Sequence, residues 1–363
     1  MRPSYVDIDL AAVAHNVRAL VTHVAPAEIC TVVKADAYGH GDVPVAEVAL
    51  ANGATWLAVA LVEEGIRLRE GGIEAPILVL SEPPTSSAAL IREWNLTPTV
   101  YSESSLNALA GAEPLGVEIK IDTGMHRVGA DQEVALALAK RLQEDPSLSL
   151  DGVWTHLAVA DEDPAFTQLQ VQRFEAFLSL LHDHGIEPLR RHASNTAGAL
   201  TLDHSSFTMV RTGLGTYGLY PDPVYDGTVD LRPAMSIVSK VSHVARHAAG
   251  TRPSYGRIRE LRNASNVVTV PIGYADGVPR RLGLVGGEVL IGGKRYPLAG
   301  TVTMDQLVVD VGDDMYSVGE EVVVMGNQGT ESITANEWAS QLDTISYEIV
   351  CQVGPRLPRR YTS

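Results

Sequence analysis

Val6, Ile8 and Leu10 alternate with Tyr5, Asp7 and Asp9 at the start of the chain. A period of two separates the apolar set from the polar set, so the chain opens on a strand. Residues 11–24 read as a helix. Strand-like and helix-like stretches then alternate. The pattern predicts strands over 29–34, 56–60, 77–80, 97–101, 117–122, 152–157, 190–194 and 208–211. The clearest helical stretches between them are 44–52, 62–70, 131–144 and 165–183. Eight strands alternating with helices suit a closed (β/α)8 barrel of the TIM type. A doubly wound sheet shows the same alternation, and periodicity does not separate the two.

The pattern changes near residue 225, where Asp222, Pro223, Asp226 and Gly227 form a boundary loop. Short β-branched runs divided by glycine follow, at 235–244, 265–271, 287–291, 294–299, 307–311 and 320–325. They predict a second, mostly β domain. The expected organisation is α/β: a barrel over 11–226, a β domain over 227–363, and an opening strand within 1–10 that joins the β domain.

The chain has 363 residues, enough for a large domain and a smaller one. Hydrophobic content of 45% and charged content of 20% are those of a folded soluble protein. No apolar run reaches the roughly 18–20 residues that span a bilayer. The residues from Met1 to Asp7 lack the apolar core of a secretion signal. Two cysteines, Cys30 and Cys351, make no disulfide framework and suit a reducing cytoplasm. A net charge of −16 argues against nucleic acid as a partner.

Candidate chemistry gathers just after the expected barrel strands. Lys34 and Tyr38 follow the first, and Lys120, Asp122 and Arg127 lie at or after the fifth. His156 ends the sixth, Asn195 and Thr196 follow the seventh, and Arg211 and Gly213 follow the eighth. In such barrels the working face is the one at the C-terminal strand ends, and phosphate often binds after strands seven and eight. A lysine handed to that rim by the run Ile29–Val33 suits imine chemistry, because a crowded site holds its amine neutral. A strand-end lysine that simply reaches solvent fits the same stretch.

Val33-Lys34-Ala35-Asp36-Ala37-Tyr38-Gly39-His40-Gly41 resembles the cofactor-lysine motif of the alanine racemases. Similar blocks recur in the family's order: Glu118 to Arg127, Ser194 to Gly198, Arg211 to Gly215, Pro253 to Gly256, Gly273 to Gly277 and Thr301 to Gln306. The resemblance therefore runs from residue 5 to about 350. It implies pyridoxal 5'-phosphate carried on Lys34, no metal, and interconversion of L- and D-alanine for bacterial cell wall. It also implies two opposed bases, Lys34 for the D form and Tyr255 for the L form. Phosphate contacts fall to Tyr38, Thr196, Gly213 and Leu214, with Asn195 and His156 among the cofactor-binding residues. Arg211 would face the pyridine nitrogen. A guanidinium keeps its proton at neutral pH, so the ring would be a weaker electron sink.

Arg127 and the backbone at Met304 would meet the substrate carboxylate, and Tyr274 and Asp276 would lie on the entrance segment. In several relatives the counterpart of Lys120 is carbamylated, which here would orient Arg127. A structural Lys120–Asp122 pair is the other reading. In the family Tyr255 and Met304 reach the cofactor of the other subunit, which implies a homodimer with shared sites. One departure stands out. Where some relatives carry a gate tyrosine that touches the phosphate, aligning Tyr347 to Cys351 leaves Pro355. A wider gate would admit serine, so a broader amino-acid racemase is the alternative. A barrel that binds the cofactor without turnover is a further one, although such proteins lack a β domain with a counterpart of Tyr255.

Overall fold

A computed structural model describes residues 2–203 and 206–363. The chain divides into two compact units. One comprises Val13–Ala37 and Asp42–Arg232; the other comprises Tyr38–Gly41, Pro233–Ser363 and the chain up to Ala12. It opens with β1 (Tyr5–Asp9) and the helix Leu10–Val24.

The first unit is a barrel of eight parallel strands: β2 (Glu28–Val32), β3 (Ala54–Val59), β4 (Ile77–Val79), β5 (Thr97–Val100), β6 (Leu115–Lys120), β7 (Leu148–Trp154), β8 (Arg190–His192) and β9 (Met209–Thr212). Their order is β8-β7-β6-β5-β4-β3-β2-β9. Two backbone bonds close the seam between the ends, Thr208 N–H to Arg191 O and Arg211 N–H to Ser194 O, both 3.0 Å. Closure decides for the barrel over the open sheet. The strands form where β-branched residues cluster, because side chains packed on both faces favour them. Ile29, Leu57, Leu78, Ile119, Val153 and Val210 are all at most 1% exposed. The helices bury one stripe each. In Gln132–Glu144 that stripe is Ala135, Leu138, Ala139 and Leu142, and Asp131 caps the start by accepting from Val134 N–H.

The second unit is mostly β. Its larger sheet runs β14 (Lys294–Pro297), β13 (Glu288–Ile291), β16 (Glu321–Gln328), β10 (Met235–Lys240), β1 and β18 (Arg359–Thr362), with β17 (Glu331–Ile333) on β16. β1 pairs antiparallel with β10 and parallel with β18. A smaller sheet runs β11 (His243–His247), β12 (Ser265–Val270) and β15 (Leu307–Gly312). The expected single strand over 235–244 is thus two strands in different sheets. Val241 and Ser242 lie between them, and their N–H groups bond Glu320 O and Thr269 O. Among the described residues no helix is long and apolar enough to cross a membrane.

Candidate active site

The stretch after Lys34 is a left-handed helical turn. Ala35, Asp36, Ala37 and Tyr38 have φ of 53°, 55°, 52° and 54°. Such a conformation costs a non-glycine residue about 1–2 kcal/mol. The surroundings offset that cost. Ala37 N–H bonds Val33 O at 2.9 Å, and Asp36 Oδ1 accepts from Asp42 N–H at 3.2 Å. Ala35 N–H donates to Glu64 Oε1 at 2.7 Å. The turn aims the chain sharply away just where β2 has delivered Lys34 to the rim.

Beside β2, β9 places Arg211 opposite Cys30 and Thr212 opposite Thr31. The Arg211 guanidinium is buried and its bonds are specific. Nη1 donates to His192 Nδ1 at 2.6 Å, and Nη2 donates to Thr155 O at 2.8 Å, to Ala193 O at 3.0 Å and to His156 Nδ1 at 3.4 Å. A guanidinium only donates, so both imidazole Nδ1 atoms accept, and each neutral ring carries its proton on Nε2. His192 Nε2–H then donates to Glu118 Oε2 at 2.8 Å, a pair wholly out of solvent. Burial lowers Arg211 to about 10, which leaves it charged at neutral pH. Burial, then the charges of Arg211, Arg127, Lys120 and Lys34, hold His156 well below the ordinary imidazole range. His156 is therefore neutral.

After β8, Asn195 accepts from Gly198 N–H at 2.9 Å and starts the short helix Thr196–Thr201. The Thr196 hydroxyl meets the N–H groups of Gly213 and Gly215 at 3.1 and 3.3 Å. Thr196, Gly213 and Leu214, distant in sequence, thus converge on one small region. On the other side of the rim, Lys120 is 2% exposed, donates to Val128 O, and lies 5.2 Å from the centre of the Trp154 ring. The Arg211 guanidinium lies 4.6 Å from the same ring. Burial, then Arg211's charge, pushes Lys120 down to about 8. Asp122 does not pair with Lys120. Its carboxylate accepts from Gly124 N–H and His126 N–H and pairs with the His126 ring. Arg127, implied to meet the substrate carboxylate, is exposed.

In the β unit, Tyr255 is 73% exposed and Met304 is 52% exposed. The two loops are joined. Ser254 Oγ donates to Thr301 O at 2.6 Å, and Thr301 Oγ1 donates to Tyr255 O at 2.9 Å. Tyr274 N–H bonds Thr303 O at 2.9 Å and Ala275 N–H bonds Met304 O at 3.0 Å. Tyr274 is partly exposed, whereas the Asp276 carboxylate is buried beneath it. Asp276 accepts both Arg2 Nη groups at 2.7 and 3.0 Å and pairs with Arg356 at 3.3 Å. That carboxylate anchors the segment through Arg2 and Arg356. Tyr38 packs against Tyr347, with ring centroids 6.0 Å apart, and burial raises its phenol pKa. Pro355 is exposed.

Sequence reasoning missed Glu64, Glu118 and His192. Glu64 sits inside an ordinary helical stretch. Glu118 and His192 lie on strands whose polar residues show no pattern until the strands are neighbours. A glutamate between Val117 and Ile119 was the available signal for Glu118, and the short run Arg190–His192 offered none.

Two family models match the chain: "Alanine racemase, N-terminal domain" over residues 8–221 and "Alanine racemase, C-terminal domain" over residues 234–361. A curated alanine racemase of Symbiobacterium thermophilum is 43% identical over 99% of this chain and 97% of its own length. The crystal structure of an alanine racemase from Streptomyces lavendulae superposes with a TM-score of 0.94 at 35% identity, covering 100% of this chain and 98% of that one. An alanine racemase from Bacillus anthracis, solved with bound L-Ala-P, gives a TM-score of 0.93 at 36% identity over 100% and 96% of the two chains. With a barrel whose rim gathers Lys34, Arg211 and the Thr196–Gly213 cluster, the chain belongs to the alanine racemase family, isomerases that interconvert L- and D-alanine.

Proposed function

We propose that the chain runs this reaction on pyridoxal phosphate with Lys34 and Tyr255 as its two bases. The observation that carries the cofactor reading is the state of Arg211. Its Nη groups are committed to protein acceptors, and among the described residues no acceptor meets its Nε–H. A buried donor of fixed charge suits a weakly basic ring nitrogen. Tyr38, Thr196, Gly213 and Leu214 would hold the phosphate, and His156 would lie beside the ring. When bound, the cofactor supplies an aldehyde that holds the amino acid and a conjugated ring that accepts electron density as the α-proton leaves. Arg211 donates a hydrogen bond but keeps its proton, so charge build-up on the ring stays limited.

Two enantiomers have equal free energy, so both directions need comparable catalysts. Lys34 Nζ takes or returns the α-proton on one face, and Tyr255 Oη does so on the other. The exposure of Tyr255 and Met304 supports their use by a second copy of the chain, which makes a homodimer with shared sites. Lys120 would be carbamylated: its neutral amine bonds to the carbon of carbon dioxide and loses a proton, and the resulting anion orients Arg127 toward the substrate carboxylate.

Lys34→Ala is expected to lose covalent cofactor and turnover together. Tyr255→Phe removes only the hydroxyl. It should keep the cofactor's bound absorbance while racemisation of L-alanine falls by about 10²–10⁴-fold. Chiral assay and absorbance spectra read both. Parent-rate turnover by Tyr255→Phe would remove the second base from the scheme.

A further inference from the structure

We infer that Glu64 is a positioning residue for Lys34, holding the strained turn that follows it; this rests on the reading of Lys34 as the cofactor lysine. Glu64 is 9% exposed and stands at the third position of the helix Val62–Glu70. Its Oε2 accepts from Ala60 N–H at 2.8 Å and Leu61 N–H at 3.1 Å. Those bonds are ordinary service to a helix start, where N–H groups lack intrahelical partners. The bond from Ala35 N–H to Oε1 is not. Ala35 lies 29 positions earlier, directly after Lys34, and is the first of five consecutive residues with positive φ, Ala35 to Gly39.

Topology explains the reach. β2 and β3 are parallel neighbours, with Val32 opposite Ala58, and Val33 N–H bonds Ala58 O. The helix leaving β3 therefore starts beside the residue leaving β2. One carboxylate then serves both exits, an oxygen to each. A carboxylate is required, because all three partners are N–H donors and only a group with two accepting oxygens satisfies them. Without the bond, the part-buried Ala35 N–H loses its carboxylate acceptor at the head of a left-handed run that alanine and tyrosine do not favour. The turn would relax toward the right-handed or extended region and carry the Lys34 Cα–Cβ direction with it.

The experiment uses the full apo chain and its Glu64→Gln, Ala35→Gly and combined variants. Glutamine keeps the shape but turns an amide toward one of the N–H groups. Pyridoxal phosphate is added, Lys34 condenses with its aldehyde by loss of water, and borohydride reduces the C=N bond. Peptide mass mapping then counts cofactor fixed at Lys34, and thermal melting is followed in parallel. At subsaturating cofactor, Glu64→Gln is expected to fix about tenfold less than the parent, the size of one lost hydrogen bond to a charged group, while melting close to it. Glycine at 35 adopts the left-handed turn without a Cβ cost, so the combined variant should recover most of the yield. Parent-level fixation in Glu64→Gln, or no recovery in the combined variant, would overturn the inference. If Glu64→Gln does not fold, hydrogen exchange in the parent decides. The Ala35 amide should exchange as slowly as that of Val33, and exchange at loop rates would overturn the role. A parent that fixes no cofactor at Lys34 would instead refute the cofactor reading itself.

Discussion

Lys120 shows how one residue's surroundings choose its chemistry. Its amine is buried against Trp154 and faces the positive charge of Arg211, with Arg127 adding to the repulsion and Asp122 opposing it. The folded value of about 8 lies below the 10.5 of a free lysine. Between those values the unfolded chain binds more protons than the folded one, so stability should rise as pH climbs through that window. A carbamate has no amine to titrate, and the rise should vanish. Melting temperatures from pH 7.5 to 10, with and without bicarbonate, test this against a Lys120→Gln reference that removes every other titration. With 13C-bicarbonate, a carbamate carbon resonance is expected from the parent and not from the variant. A rise unaltered by bicarbonate, with no such resonance, would leave Lys120 a plain amine. The same low value favours the modification, because only the neutral amine attacks carbon dioxide.

At the scale of elements, β2, β3, β4 and β7 were legible because buried parallel strands read as apolar runs rich in valine, isoleucine and leucine, whereas β8 (Arg190–His192) carries no such run. The left-handed turn was not, since Ala35, Asp36, Ala37 and Tyr38 include no glycine to announce positive φ. Its conformation comes from partners on other elements, which local sequence does not reveal. The break between β10 and β11 was hidden for a similar reason: Lys240 to His243 keep the strand pattern while the chain changes sheets. The Glu118–His192–Arg211 chain depends on β6, β7 and β8 being neighbours, and here one small residue matters. A Cβ at Gly152 of β7 would lie 2.8 Å from Glu118 Oε1 and 3.2 Å from Arg190 Cβ. Gly152→Ala should therefore push the carboxylate off His192 and destabilise the fold by about 1–3 kcal/mol. Urea unfolding measures the loss, and the 15N shifts of His192 should move away from the Nε2–H tautomer. Unchanged stability would mean that the strand shifts freely and that Glu118 is loosely held.

On the scale of the molecule, the two proposed bases belong to different compact units, Lys34 to the barrel and Tyr255 to the β unit. Each unit has its own core: Ile29, Leu57 and Val210 in one, and Val268, Val289 and Val309 in the other. Lys34 reaches the rim from a barrel strand, while Tyr255 and Met304 stand exposed on loops tied to each other through Thr301. If a site draws its lysine from one chain and its tyrosine from another, two inactive variants should rescue one another. Lys34→Ala and Tyr255→Phe chains, mixed in equal amounts and reassembled at random, give dimers of which about half are hybrids. Each hybrid holds one site with both native bases and one with neither, so about a quarter of parental activity should return. Tagging one variant and isolating the hybrid raises the expected recovery to about half per dimer. If both bases came from the same chain, every site in the hybrid would lack one of them. Verified hybrids as inactive as their parents would place each site within a single chain.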